Sequence, residues 1–271
     1  MMDRYDLHTH TTCSDGSYSP RELIDLAVTK GLAGIAITDH DTIAAFAPEV
    51  LAYAKAHKID LLQGVEISAY YKGQAVHILA YDFKLDVPEL HEFITLQEER
   101  RRVRAEEILE KLRAHGFEIT FAELQRSHGS PLGRPHIAAL LIRKGVVENL
   151  DEAFARFLGD SAPCFVPMRQ PEIPEALRII HAAGGKAFIA HPHFYNDFEF
   201  VKELAAFHFD GIECYYARFS YQVNMRYKRL AERRNLLVSG GSDFHGQGKP
   251  FNDLGVAYLE KANLFPRKNS L

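Results

Sequence analysis

Residues 5–41 read YDLHTHTTCSDGSYSPRELIDLAVTKGLAGIAITDHD, and this stretch decides the fold class. Residues 5–10 and 33–38 are short apolar runs of the kind that form buried strands. Between them, Ser19 followed by Pro20 predicts the start of a helix, with serine as the N-cap and proline in the first turn. A strand, a helix and a second strand in this order predict a βαβ unit and a mostly parallel sheet.

The same alternation continues along most of the chain. Further strands are predicted at residues 59–68, 75–83, 186–190, 210–214, 236–240 and 254–259. Helices are predicted at residues 44–57, 174–183, 198–207 and 222–234. The fold class expected from this pattern is α/β, with the strands arranged as a barrel.

Residues 85–175 interrupt the alternation. Residues 88–115 predict one long, charged helix, and shorter helical patterns follow near Phe121 and at residues 134–144 and 151–157. We therefore predict a first barrel part at 1–84, a helical insertion at 85–175 and a second barrel part at 176–271. The two barrel parts are short for an eight-unit barrel of ~250 residues, so a smaller or distorted barrel is expected. The tail at 261–271 is expected to be loosely attached.

Composition excludes several classes of protein. The chain has 271 residues, 46% of them hydrophobic and 25% charged, which is ordinary for a folded domain and unlike a disordered or membrane-spanning chain. The net charge of -4 offers no global positive field for nucleic acid or anionic lipid. Three cysteines with no close pair favour a reducing compartment, so we expect a cytoplasmic protein.

Histidines and carboxylates recur where the predicted strands end. His8 and His10 alternate on one strand, so both imidazoles face the same side. The full candidate set is His8, His10, Asp15, His40, Glu66, His77, His191, Asp243 and His245. Each one alone is also explained as a core histidine, a turn aspartate or a surface carboxylate, and Glu213 ends a strand in the same way. Together they would meet at one mouth of a barrel, where their burial without cations would be costly.

Bound metal ions are the economical explanation for such a cluster. Nitrogen and oxygen ligands without thiolate suit Mn, Fe(II) or Zn. Nine ligands suffice for two or three ions if Glu66 bridges between them.

The motifs are also recognisable as a set. HTHTTCSDGSYSPRELIDLAVTKGLAGIAITDHDT is followed in order by GVEIS, HILAY, AHP and GGSDFHG, and this series resembles the polymerase and histidinol phosphatase (PHP) superfamily of metal-dependent phosphoesterases. The resemblance implies a distorted seven-stranded barrel with two or three divalent ions, Mn first and Fe or Zn as alternatives. It also implies that His8, His10, Glu66 and Asp243 hold one ion, Glu66, His77 and His191 a second, and Asp15, His40 and His245 a third.

The insertion carries a further motif, GRPHIA at residues 133–138. It resembles the branch of the superfamily that includes nucleoside 3',5'-bisphosphate phosphatases and short-RNA 5'-to-3' exonucleases. Arg134 would supply a planar fork for a phosphate and His136 a second donor, close to a helix start that favours anions. The alternative is a loop arginine followed by a capping histidine.

The segment HPHFY at residues 191–195 departs from the pattern of many relatives, which have an arginine after the HP pair. His193 is therefore either a phosphate contact or a surface residue. It is also the candidate for protonating the leaving oxygen, and Asp243 is predicted to take part in catalysis as well as in metal binding.

The predicted function is a metal-dependent phosphoesterase. Its substrates would be a nucleoside 3',5'-bisphosphate that loses its 3'-phosphate, or a short 5'-phosphorylated RNA trimmed from its 5' end. Duplex nucleic acid and membranes are not expected partners, and the oligomeric state stays open. The alternatives are a histidinol phosphate phosphatase and a non-catalytic, metal-bound module that binds nucleic acid.

Two other features have ordinary explanations. Four arginines at positions 100, 101, 102 and 104 suggest an RNA-binding ridge, but glutamates surround them on the same helix, and a solvated helix face is the simpler interpretation. Tyrosines at positions 70, 71, 215 and 216 would be able to stack on a base, or would simply pack beside the strands.

Overall fold

One sheet, wrapped into a nearly closed barrel, dominates the computed structural model, which describes residues 3–127, 131–195, 197–246 and 252–266. The strands are β1 (Arg4–Thr9), β2 (Gly34–Ile37), β3 (Asp60–Tyr71), β4 (Gln74–Tyr81), β5 (Lys186–Ile189), β6 (Gly211–Tyr215), β7 (Leu237–Gly240) and β8 (Leu259–Glu260). Their order in the sheet is β7-β6-β5-β4-β3-β2-β1-β8. The α/β barrel class is confirmed; the sheet has eight strands because a two-residue strand, β8, adds to β1 in the antiparallel direction.

Some helices lie on the outside of this sheet, and those between Ala105 and Val166 pack on one another. They are α1 (Pro20–Thr29), α2 (Pro48–Ala56), α3 (Pro88–Ala114), α4 (Phe121–Ser127), α5 (Arg134–Arg143), α6 (Leu150–Ala153), α7 (Ile173–Ala182), α8 (Phe198–Leu204) and α9 (Tyr221–Arg234). Ser19 caps α1 as predicted, since its hydroxyl accepts a hydrogen bond from the Glu22 N–H and its own N–H donates to the Glu22 carboxylate. Within the described ranges, none of the helices has both the length and the apolar character needed to cross a bilayer.

The helix expected over residues 44–57 is divided in the structure. A single 3₁₀ turn at Ala44–Phe46 precedes α2, and Ala47 between them has an extended backbone. Pro48 is the cause, because a proline disfavours helical geometry in the residue before it.

The direction of β4 differs from the mostly parallel arrangement that the sequence predicts. β4 runs antiparallel to both of its neighbours, β3 and β5. The reason is the turn at Lys72 and Gly73, where both residues have positive φ (45° and 84°). Two such residues make a tight hairpin turn, whereas a parallel crossover needs a dozen or more residues. The N-terminal half of β4 therefore lies at the same end of the barrel as the carboxyl ends of the parallel strands.

β1 is joined to the chain that follows β7. The His10 N–H donates to the Phe244 carbonyl at 2.8 Å, and the Phe244 N–H donates to the His8 carbonyl at 3.3 Å. Gly241 is needed for this approach, because a Cβ at that position would lie 2.4 Å from the His8 backbone nitrogen. The join brings the segment after β7 against the two histidines of β1.

Large side chains fill the lower half of the barrel interior, which is the half away from the polar mouth. Leu7, Leu62, Tyr81 and Phe188 belong to one buried cluster built almost entirely from the strands. The register between β1 and β2 shifts after Asp6, which accounts for Leu7 reaching this cluster while the next residue, His8, meets the polar groups above it. The interior is thus apolar below and polar at the mouth.

The predicted insertion has a hydrophobic cluster of its own. Its buried members all lie between Ala105 and Val166, whereas Leu90 and Phe93 at the start of α3 pack on the barrel. The division of the chain into three parts at 84 and 175 stays a prediction.

The expectation of a loosely attached tail at 261–271 is wrong for the part of it that the structure describes. Phe265 is buried and packs against Tyr81 and Phe188, because the inside of the barrel leaves room for one more aromatic ring. Residues 267–271 lie outside the described residues.

Candidate metal centre and substrate cavity

The two histidines of β1 meet carboxylates from distant parts of the chain. His8 Nε2 and His10 Nε2 lie 3.1 Å apart. Each lies within 3.2 Å of Glu66 Oε2 on β3 and 3.4 Å from Asp243 Oδ1 after β7. All four side chains are buried. Four ligand atoms therefore converge on one point, and this group is the one that the resemblance assigns to a first ion.

A second group adjoins the first through His10. Asp15 Oδ1 lies 3.2 Å from His245 Nε2, and Asp15 Oδ2 lies 3.8 Å from His40 Nε2. His10 Nδ1 lies 3.8 Å from Asp15 as well, so His10 belongs to this group in addition to the three predicted residues.

Glu66 joins a third group through its other oxygen. Glu66 Oε1 lies 2.7 Å from His77 Nδ1 and 2.8 Å from His191 Nε2. His40 Nδ1 lies 3.3 Å from Glu66 Oε2, so His40 lies between the second and third groups. All nine predicted ligands are thus brought together, and the two oxygens of Glu66 face different groups; that Glu66 bridges ions stays a prediction.

The cluster shifts the pKa values of its own members. Burial opposes a charge on Glu66, but the adjacent histidines, with His40 first, hold its pKa well below the usual range. Burial also opposes a proton on His10, yet Asp243 and Glu66 raise the pKa of His10 to about 9. The carboxylates therefore favour positive charge at the centre of the cluster.

These residues fit divalent cations. The set is six imidazoles and three carboxylates with no thiolate, which are ligands for Mn, Fe(II) or Zn. His10 Nδ1, which faces Asp15, and His40 Nδ1, which faces Glu66, are buried and, among the described residues, have no hydrogen-bond partner. A buried ring nitrogen without a partner is unfavourable unless a cation uses it. The number and identity of the ions stay predictions.

A ring of further groups holds the ligands in place. Glu213 on β6 lies 3.0 Å from His8 Nδ1, and its other oxygen accepts the His191 N–H at 2.6 Å. The Tyr216 hydroxyl donates to Asp243 Oδ2 at 2.8 Å. Partners of this kind fix the orientation of a ligand and raise its basicity. The sequence placed Glu213 at a strand end without a role, and no pattern in the sequence pointed to the hydroxyl of Tyr216.

A cavity of about 520 Å³ opens beside the cluster. Asp15, His40 and His77 line one side of it. These three belong to the set of nine candidate ligands, which we call the barrel wall. The opposite side belongs to the predicted insertion and includes Arg101, Arg104 and Arg134, which we call the insertion wall. Tyr70, 43% exposed, lines the same cavity, whereas Tyr71 packs against the hydrophobic core.

The run of arginines on α3 is only partly a solvated face. Arg102 is exposed and pairs with Glu99 and Glu106, as that interpretation expects. Arg101 and Arg104, one helical turn apart on the other face, point to the cavity. The prediction of a solvated face is therefore wrong for these two residues, because a count of charges along a helix does not show which face is covered.

Arg101 is already paired, whereas Arg104 is not. Arg101 donates to the buried Asp41 at 2.7 Å and to the Ser68 hydroxyl at 2.9 Å. Arg104 donates to the Val166 carbonyl, and no carboxylate in the described part of the chain forms an ion pair with it. Burial, with the nearby Arg134 and Arg101, lowers the pKa of Arg104 to about 10. Arg104 is thus a cation that an anionic substrate would stabilise.

Arg134 and His136 of the GRPHIA motif differ in position. Arg134 lines the cavity and donates to Asp160 at 2.6 Å. The Gly133 N–H donates to His136 Nδ1, and His136 Nε2 bonds the Ser14 carbonyl at 2.8 Å. Both ring nitrogens of His136 are engaged, so its geometry is that of the capping alternative and ties the insertion to the loop that carries Asp15. A phosphate contact for His136 stays a prediction.

His193 lies behind the site. Its ring is buried, stacks on Phe219 at 4.8 Å between ring centres, and bonds Asn224 through Nε2 at 2.9 Å. Burial lowers the pKa of His193 to about 4. Neither the cavity beside the insertion nor the smaller one near Asp243 has His193 in its described lining. This position gives no support to His193 as the proton donor, and that role stays a prediction.

Comparison with known proteins agrees with the geometry. A family model described as the PHP domain matches residues 6–161, more than half of the chain. A 5'-3' exoribonuclease of Haemophilus influenzae is 36% identical over 250 residues, covering 90% of this chain and 91% of the relative. A 3',5'-nucleoside bisphosphate phosphatase of Chromobacterium violaceum is 32% identical over 261 residues, covering 94% and 91%.

A solved structure shows the same fold. It comes from Bifidobacterium adolescentis, is described as a metal-dependent phosphoesterase, and superposes with a TM-score of 0.87 at 31% identity, covering 96% of this chain and 93% of the other. The family match, the relatives and the ligand geometry lead to one conclusion: the chain belongs to the PHP domain family and is a metal-dependent phosphoesterase.

Proposed function

We propose that the enzyme hydrolyses the 3'-phosphate ester of nucleoside 3',5'-bisphosphates and the first linkage of short 5'-phosphorylated RNA. The observation that carries the proposal is the cavity with the barrel wall on one side and the insertion wall on the other. Metal ligands on one side serve a reacting phosphate, and arginines on the other serve a second phosphate of the same substrate. The relatives of this chain act on these two kinds of substrate by name, which supports the proposal.

Both reactions break the same bond. A water oxygen bonds to phosphorus, the bond from phosphorus to the 3'-oxygen breaks, and the 3'-oxygen takes up a proton. From a bisphosphate the product is free phosphate; from RNA the phosphate leaves as the 5'-phosphate of the next nucleotide. One cavity for a ribose with phosphates at both ends therefore serves both substrates.

Different residues of the chain would bind the two phosphates of the substrate. Arg104 and Arg134 hold the non-reacting 5'-phosphate, and the 3'-phosphate points to the barrel wall. Divalent ions bound there supply Lewis-acid stabilisation of the charge on the transferring phosphate. Glu213 and Tyr216 keep His8 and Asp243 oriented as the charge changes.

Phosphate release with Mn supplied tests the proposal. The substrates are adenosine 3',5'-bisphosphate, 3'-AMP, 5'-AMP and histidinol phosphate, with a nucleotide assay for a short 5'-phosphorylated RNA. We expect the bisphosphate and the RNA to be turned over fastest and 3'-AMP, which lacks the 5'-phosphate, more slowly. Preference for histidinol phosphate would contradict the proposal, and so would tight RNA binding without turnover.

Arg134→Ala tests the second phosphate directly. The variant should reduce the preference for the bisphosphate over 3'-AMP roughly 10- to 100-fold, because it removes a charge-assisted contact worth roughly 1.5–3 kcal/mol. Metal content, measured in the same sample, shows whether the barrel wall is intact. An unchanged preference with full metal content would exclude Arg134 from phosphate binding.

A further inference from the structure

A second cavity, of about 340 Å³, opens on the ligand cluster. It shares His40 and His77 with the cavity beside the insertion wall, but its remaining lining differs. His191 and Asp243 line it, together with three residues that are not candidate ligands: Phe194, Tyr216 and Arg218. A reacting phosphate at the barrel wall would therefore have free space on two sides, and the proposed function uses only one of them.

Phe194 is the exposed aromatic residue of this cavity. Its side chain is 43% exposed, although most large apolar side chains in the described part of the chain are buried. Its ring meets Tyr216 edge-on, with centres 5.3 Å apart, and Phe219 at 5.4 Å. The ring is thus held in one orientation while remaining open to solvent, which is the arrangement that suits stacking on a nucleobase.

Arg218 supplies the positive charge of the same cavity. It follows β6 by three residues and is exposed. Within the described ranges, Arg218 has no ion pair and no hydrogen bond through its side chain, so its guanidinium is available to an anion. An aromatic ring and an arginine in the lining of one cavity, next to a phosphoesterase centre, are suited to a nucleotide rather than to a simple phosphate.

We infer that Phe194 and Arg218 form the binding site for the second nucleotide of a short RNA. The inference rests on the proposed function. The first nucleotide occupies the cavity of the insertion wall, the phosphate that follows it lies at the barrel wall, and the second base stacks on Phe194. Arg218 binds the phosphate on the 3' side of the second ribose.

This site sets the choice between substrates. A bisphosphate carries nothing beyond its 3'-phosphate and leaves the second cavity empty, whereas every RNA places a nucleotide there. The bond that breaks is the same in both, so Phe194 and Arg218 contribute binding to RNA alone. Their loss should therefore lower kcat/KM for RNA relative to that for the bisphosphate.

The test compares three substrates with each variant. They are adenosine 3',5'-bisphosphate, a 5'-phosphorylated diribonucleotide and a 5'-phosphorylated triribonucleotide. Phe194→Leu keeps an apolar side chain against Tyr216 but removes the aromatic face, and we expect the ratio of kcat/KM for either RNA to that for the bisphosphate to fall about tenfold. Arg218→Gln should lower kcat/KM for the triribonucleotide about tenfold more than kcat/KM for the diribonucleotide. The diribonucleotide has no phosphate after its second ribose.

Matched controls separate this effect from general damage. Arg229→Gln and Tyr221→Leu change exposed residues of α9, neither of which is in the described lining of either cavity, and should keep the wild-type ratios. Turnover of the bisphosphate reports that each variant is folded and loaded with metal.

The outcomes distinguish the inference from the proposed function. Wild-type ratios in both Phe194→Leu and Arg218→Gln would overturn the inference and leave the proposed function standing. A wild-type enzyme that hydrolyses the bisphosphate but neither RNA would overturn the inference and the RNA part of the proposed function, and would leave the bisphosphate part standing. A wild-type enzyme inactive on all three substrates would overturn both.

Discussion

The two walls of the substrate cavity are built in different ways. On the barrel wall, each ligand lies on a strand or in the loop that follows one, and buried partners such as Glu213 orient some of them. On the insertion wall, the arginines come from two helices, and only Arg101 is held by a buried carboxylate, Asp41. The barrel wall is therefore specified by strand geometry, whereas the insertion wall depends on how the helices pack. Substitutions in the barrel wall should therefore impair catalysis strongly, whereas substitutions in the insertion wall should mainly alter the choice of substrate.

Glu66→Gln would test the barrel wall at its centre and should have the largest effect. Glu66 contacts members of all three ligand groups, and an amide cannot replace its charge. We expect kcat on the bisphosphate to fall roughly 10³–10⁴-fold, or about 4–5 kcal/mol, with a loss of bound metal. Metal analysis and steady-state kinetics measure the two effects. Near-wild-type activity with full metal content would show that Glu66 does not bridge.

Arg101→Met would break a link between the insertion wall and the barrel. It leaves Asp41 buried without its partner, and we expect the free energy of unfolding to fall by about 3–5 kcal/mol. Denaturant melts measure the change. Arg102→Met on the exposed face of α3 is the matched control and should cost less than about 1 kcal/mol. Equal effects of the two variants would mean that the buried pair does not join the insertion to the barrel.

Glu213→Gln would sharpen the account of the barrel wall, because Glu213 supports the ligands His8 and His191 without being in any of the ligand groups. Metal affinity should fall about 10- to 100-fold while the fold remains. Titration of the metal-free enzyme with Mn gives the affinity. Glu232→Gln, an exposed change on α9, should keep the wild-type value. An unaltered affinity in Glu213→Gln would limit its role to packing.

Arg104→Ala would probe the insertion wall and should have the smallest effect of the four. The preference for adenosine 3',5'-bisphosphate over 3'-AMP should fall about tenfold, because the 5'-phosphate loses a cation that no described carboxylate already pairs. Arg102→Ala, on the same helix, is the control and should keep the preference. If both variants behave like wild type, Arg104 does not bind the 5'-phosphate.

Much of the barrel wall was visible in the sequence. Strands alternate with a period of two, so HTH on β1 places two imidazoles on one side, and ligands after parallel strands meet at one end. His77 was expected, like the other candidates, near the end of a strand, but it belongs to the cluster for a different reason. It lies within β4, opposite Ser68, and reaches the mouth because the hairpin reverses the strand. Lys72 and Gly73, the two residues of the turn, are the feature of the sequence that could have indicated this reversal.

The insertion wall was much less visible. GRPHIA pointed to Arg134, which lines the cavity, but Arg104 was hidden in a run of charges whose sum is negative over the insertion. Which face of a long helix is covered depends on tertiary packing, and the charge pattern of α3 does not contain it. Arg218 and Phe194 were missed for a similar reason, because nothing local to either residue shows that the two loops meet.

The hairpin of β3 and β4 also offers a route by which such an enzyme changes over evolutionary time. Its tip, with Tyr70, Gly73 and Ala75, lines the cavity, while Glu66 and His77 lie further down the same two strands. Adding one residue to a strand would turn its side chains to the opposite face, but adding two residues to each would lengthen the tip and keep every ligand in register. The lining of the cavity beside the insertion wall and the ligand cluster are therefore separately adjustable, and insertions in steps of two at this tip would leave the ligands in place.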